Sequence, residues 1–143
     1  MKYLIVLIAF ISPSCKEKKT PIDQILEYAE KKYGSNLDGK EIDLKDVFPF
    51  RWEEAYIFVG LMDPSVVMEK AGITYDGDIV PDDTELFLFI GEGRILKEYN
   101  YQDFRLMFNY KPRGQGFYKI VRDDSRFKIE VLGKDNYSLR KVN

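Results

Sequence analysis

From Glu85 onward the chain is written as short apolar runs cut by turn residues, and that pattern constrains the fold more than any other feature. Glu85 to Ile90, Arg94 to Tyr101, Phe117 to Arg122, Phe127 to Leu132 and Tyr137 to Val142 each read as strands. Gly91-Glu92-Gly93, Asp123-Asp124-Ser125 and Gly133-Lys134-Asp135-Asn136 read as the turns between them. Phe104 to Tyr110 could be strand or helix and is read as a further strand. The last sixty residues are thus expected to form an antiparallel meander. Ten Tyr, ten Phe and one Trp suit the half-buried faces of such a sheet.

The first half adds helices. Thr20 can cap, Pro21 suits the first helical position, and Asp23 faces the positive end of the dipole. Ile22, Ile25, Leu26, Ala29 and Tyr33 share one face, which predicts a helix over 21–33 stopped by Gly34. Asp63-Pro64 starts a second helix, with Val67, Met68 and Ala71 as its apolar face and Gly72 as its end. Ile42 and Leu44 alternate with charged residues as in a short strand. The run Ala55 to Val59 reads as a buried strand within 54–59. Residues 74–84 read as loop. The expected fold class is α+β: an antiparallel sheet of five to seven strands with two helices packed on one face.

Composition excludes whole chemistries. There is no histidine and one cysteine, Cys15. Ser-His-Asp and Cys-His catalysis and His-ligated zinc are therefore out of reach. No intramolecular disulfide can form. Both charge signs are interspersed, so no basic stripe is expected to bind a nucleic acid.

Cys15 follows an apolar run of nine residues, Tyr3 to Ile11, and the stretch Ser12-Pro13-Ser14. At ~1.5 Å per residue a helix of that length spans roughly 14 Å, about half a bilayer core. It is too short to remain as a membrane span and suits a signal-peptide core. With Lys2 before it and Cys15 after it, the segment resembles the lipobox leader of bacterial lipoproteins. Ser12 and Pro13 depart from the commonest residues of that motif. The resemblance implies cleavage before Cys15 and acylation of it. The expected organisation is a lipoprotein signal peptide at 1–14, a lipidated cysteine and tether at 15–20, and a single α+β domain at 21–143. The alternatives are an ordinary secretory leader and a membrane-buried N-terminal helix.

The tether Lys16-Glu17-Lys18-Lys19 reads as a solvated linker with cations near lipid headgroups. Lys16-Glu17 also resembles half of the export tag of surface-displayed lipoproteins. No Asp follows Cys15 directly, so the usual inner-membrane retention signal is missing. The expected address is the cell envelope, lipid-anchored, with the outer membrane favoured, on its periplasmic or surface face.

Over residues 42–101, Phe50-Arg51-Trp52-Glu53-Glu54-Ala55-Tyr56-Ile57-Phe58, the helix ending in Ala71-Gly72-Ile73 and the strand Phe87-Leu88-Phe89-Ile90 resemble a group of small uncharacterised bacterial lipoproteins. The resemblance implies a compact exported domain and carries no activity.

Candidate sites are few. Trp52 with Phe48, Phe50 and Tyr56 forms an aromatic cluster. As an exposed platform it would bind a partner; packed, Phe48 and Phe50 would plug the sheet end while the Trp52 N–H bonds a carbonyl. Asp76, Asp78, Asp82 and Asp83 could hold calcium, but they lack the spacing of a helix-loop-helix site and read as solvated turns. Asp123-Asp124-Ser125-Arg126 and Gly91-Glu92-Gly93 read as hairpin turns. The loop Lys111 to Gly116 could touch an acidic partner.

The expected function is a membrane-anchored lipoprotein presenting a small non-catalytic interaction domain, with the lipid bilayer and an envelope protein as partners. Neither cofactor nor metal is expected. The alternatives are a carboxylate-dependent or metal-dependent hydrolase, which needs converging acids, and a small-ligand carrier, which needs an apolar pocket.

Overall fold

The computed structural model describes residues 18–108 and 116–143. Cys15, the leader and most of the 111–116 loop lie outside the described residues. The fold is α+β. Its helices are α1 (Pro21–Tyr33), α2 (Leu44–Val47) and α3 (Pro64–Ala71). Its strands are β1 (Glu41–Asp43), β2 (Glu54–Val59), β3 (Glu85–Gly91), β4 (Arg94–Tyr101), β5 (Leu106–Phe108), β6 (Phe117–Val121), β7 (Arg126–Gly133) and β8 (Asn136–Lys141).

The local signals work as the sequence predicts. Thr20 and Asp23 form a reciprocal capping box at the start of α1, the Thr20 side chain accepting from the Asp23 amide. Asp63 caps α3, and Gly72 ends it in the left-handed conformation. Between β3 and β4, Glu92 and Gly93 both take positive φ, 54° and 70°. Two such central residues match the right-handed twist of the strands they join.

The strands divide into two four-stranded sheets, ordered β1-β7-β8-β5 and β4-β3-β2-β6. This corrects the expected single sheet of five to seven strands. It also corrects the meander. The strands β7 and β8 do form an antiparallel hairpin, but β6 leaves them to pair with β2 in the other sheet, and β5 runs parallel to β8. Period-two alternation says which face a residue takes and nothing about which strand lies beside it. Leu44, expected in a strand, opens α2 instead, because Asp43 accepts from the Lys45 amide and caps a helical turn.

The second sheet is covered on both faces, which explains why all seven residues of β3 are buried. One face presents Ala55, Ile57, Phe87 and Phe89 to the first sheet and to Ile22, Ile25, Leu26 and Ala29 of α1. The other presents Tyr56, Phe58, Leu86, Leu88 and Ile90 to Val67 and Ala71 of α3. The helices α1 and α3 therefore lie on opposite sides of this sheet, where the sequence suggested one side. Each fully buried Leu, Ile or Phe adds roughly 1.5–3 kcal/mol of hydrophobic stabilisation.

Candidate functional site

The aromatic cluster is resolved by burial. Trp52 and Phe48 are each 1% exposed. The indole N–H donates to the Phe48 carbonyl at 3.0 Å, and the ring meets Phe89 edge-on at 5.4 Å between centroids. Phe50 is half-buried against Phe89, with the Lys97 ammonium over its ring at 4.2 Å. The cluster seals one end of the core. The binding platform, which needs Phe48 and Trp52 at the surface, is absent from this fold.

Asp76, Asp78, Asp82 and Asp83 are all exposed. Among the described residues, no group of three or more His, Cys, Asp or Glu side chains is arranged to hold a metal. Gly77 leaves room for the Tyr75 side chain. A Cβ there would fall on the Tyr75 ring, and the Tyr75 hydroxyl passing this point donates to Glu98 Oε1 at 3.2 Å. Burial, with the charge of Glu98 second, pushes the Tyr75 hydroxyl up to about 12.

Tyr75, Asp78, Glu98 and Asn100, with the apolar Ile79 and Pro81, line an open hollow of about 640 Å³. Much of its polar lining is already paired internally, since Glu98 accepts from both Tyr75 and Asn100. A smaller hollow of about 230 Å³ lies beside Arg51, Glu53, Glu92 and Arg122. There the Arg122 Nε is buried without a hydrogen-bond partner.

A third hollow is apolar and sits at the opposite end of the inter-sheet core from Trp52. It holds about 440 Å³, within the usual range of ligand clefts. Its floor is Ile57 and Val59 of β2 and Phe108 of β5; its rim is Phe104, Met107 and Leu132. Those three rim side chains are 46%, 45% and 56% exposed. Met107 faces outward because it alternates with buried Leu106 and Phe108. Leu132 does so because it shares the parity of Lys128 and Glu130, opposite buried Phe127 and Ile129 on β7.

One acid is buried beside this groove. Glu85, 6% exposed, stands opposite Tyr101 in the β3–β4 register and accepts its hydroxyl proton at 2.8 Å. Burial pushes the Glu85 carboxyl up; the Tyr101 hydrogen bond opposes this, and the charge of Asp103 adds to it. Glu130 also lines the groove and pairs with Arg140 at 2.8 Å. Sequence reasoning does not single out Phe104, Met107, Leu132 or Glu85. The one signal in the sequence is an acid at the head of an otherwise apolar strand.

Residues 18–20 run beside the end of β4, which stops three residues before the rim residue Phe104. Lys18 lies over the Tyr99 ring at 4.6 Å, and Lys19 and Thr20 border Asn100, Tyr101 and Gln102. Arg105, next to Phe104 in sequence, ties Asp103 to Asp23 in the first turn of α1, at 2.6 and 2.5 Å. No described helix is long and apolar enough to cross a membrane. Comparison with known proteins finds no matching family model, no matching curated protein and no matching solved structure.

Proposed function

We propose that this chain is a lipid-anchored protein of the bacterial cell envelope, held through acylated Cys15, and that its folded part is a non-catalytic binding domain. The leader and Cys15 support the address. The groove supports the binding role, since Phe104, Met107 and Leu132 stand exposed together around an apolar hollow. Clustered exposed apolar side chains cost solubility unless something covers them. The groove's volume also favours the second reading, a carrier of a small apolar ligand. Glu85 and Glu130 share this groove, as a carboxylate-dependent hydrolase would require, but Tyr101 and Arg140 already engage them.

The anchor is tested by Cys15→Ser. The variant should leave the membrane fraction for the soluble exported fraction, or accumulate with its leader uncleaved. Unchanged partitioning into detergent would refute acylation. The groove is tested by an apolar fluorescent dye that brightens on leaving water. Met107→Glu with Leu132→Glu should abolish dye binding without lowering the melting temperature by more than a few degrees. Full dye binding by that variant would move the binding surface elsewhere.

A further inference from the structure

We infer that the rim of the apolar groove rests on the bilayer that carries the anchor, so that the occupant of this surface is the acyl region of membrane phospholipid. The inference rests on the proposed acylation of Cys15 and goes beyond it by assigning the domain an orientation.

The argument is one of reach. Three peptide units separate Cys15 from Lys18, and a fully extended chain spans at most ~3.6 Å per residue. A lipid on Cys15 therefore holds Lys18 within roughly 11 Å of the bilayer surface. Lys18 sits on Tyr99, and residues 19 and 20 border Tyr101 and Gln102. Phe104 follows two residues after Gln102, and Arg105 pins that stretch to Asp23 beside the Thr20 cap. Residues 18–20 and Phe104 of the rim thus lie toward one end of the β4-β3-β2-β6 sheet. The other end, with the Glu92–Gly93 turn, is eight strand residues away along β4, or about 26 Å.

Chemistry agrees with reach. The side chains exposed at this end include Phe104, Met107 and Leu132 beside the polar Asn100, Gln102 and Arg105, a mixture that an interface of headgroups and acyl chains accepts. Acids near the tether are paired with cations: Glu27 with Lys19 at 2.6 Å, and Asp23 and Asp103 with the single Arg105, which leaves one net negative charge there. Val121 provides the internal comparison. It is 45% exposed, as apolar as the rim, and pairs with Glu54 at the far end of the sheet.

The experiment uses the full chain, processed and acylated by the cell that makes it, and reconstituted into phosphatidylcholine vesicles. An acylated Cys15 has no free thiol, so a second cysteine would be the sole labelling site. An environment-sensitive dye is placed through Phe104→Cys, separately through Leu132→Cys, and through Val121→Cys, and quenched with lipid brominated on its acyl chains. The dyes at 104 and 132 should be quenched at least threefold more strongly than the dye at 121. Equal quenching at all three positions, with Cys15 refractory to thiol reagents, would overturn the orientation and leave the anchor standing. Labelling of Cys15 in the unsubstituted chain, with the protein left outside the vesicles, would overturn the anchor and the orientation together.

Discussion

Glu85 and Tyr101 face one another across the β3–β4 pair, and the Tyr101 hydroxyl donates to Glu85 Oε2 at 2.8 Å at the edge of an apolar groove. A carboxyl buried there is easier to keep neutral than charged. The pair makes the groove sensitive to pH. Because burial raises the folded-state value of Glu85 above its ordinary 4.5, the folded state holds the proton over a range where the unfolded chain has released it. Stability from this residue is complete below the ordinary value and falls as pH rises through the folded one. Glu85→Gln should therefore be more stable than the natural chain at pH 8 and should lose that advantage below pH ~4. Urea melts at the two pH values decide it; an equal difference at both would refute the linkage.

Tyr101→Phe keeps the ring and removes the donor. The expected loss is about 1–3 kcal/mol at neutral pH, the range for depriving a buried group of its partner. The loss should shrink in acid, where a neutral Glu85 needs the donor less. A loss that is constant with pH would mean that the hydroxyl serves something other than the carboxylate.

Acid should loosen the contact between α1 and the segment after β4. Arg105 donates to Asp103 and Asp23 and holds both carboxyls below the usual 3.8. For Asp103 that hydrogen bond is the largest cause; for Asp23 burial pushes upward and is outweighed by Arg105 and Thr20. Depressed carboxylates stabilise the fold above the ordinary value, and the contribution disappears as pH falls through the folded one. Arg105→Gln should flatten the decline in stability below pH ~4. Thr20→Ala should cost about 1 kcal/mol through the lost cap, at any pH above that decline. Chemical melts of both variants across the acid range check the two expectations together.

Trp52→Ala should cost ~3–5 kcal/mol, the range for truncating a buried aromatic, since the ring is fully enclosed and its N–H is bonded to Phe48. Calorimetry should show a fall in melting temperature on the order of 10 °C or more. A near-normal melt would contradict a packed Trp52.

The β3–β4 turn contains a residue against its preference. Glu92 takes φ 54°, a region that costs an ordinary side chain roughly 1–2 kcal/mol relative to glycine. Glu92→Gly should raise stability by about 1 kcal/mol, because the backbone N–H that reaches Glu53 at 3.4 Å is retained. A destabilised variant would show that the Glu92 side chain contributes more than the turn strain it imposes.

The elements legible in the sequence are those specified by neighbours along it. Helix α1 matches its predicted limits, Pro21 to Tyr33, because cap, proline, apolar stripe and stop all lie within one stretch. The hairpin at Glu92-Gly93 and the helix from Pro64 to Ala71 are readable for the same reason. Trp52 is ambiguous in the sequence because nothing nearby says whether an aromatic is covered. Its burial depends on Phe89, thirty-seven residues later.

Local chemistry, read along the chain, is enough to name the α+β class, the limits of α1 and α3 and most strands, and to suggest where a lipid would attach. Partnership between distant segments is beyond it. Strand β6 left its neighbours for β2, β5 settled parallel to β8, and two sheets formed where one was expected. Those choices depend on which apolar faces can cover one another in three dimensions, a property of the whole packed chain. The groove exists only because of them: Ile57, Glu85, Phe104, Met107 and Leu132 come from segments that meet through pairing across both sheets.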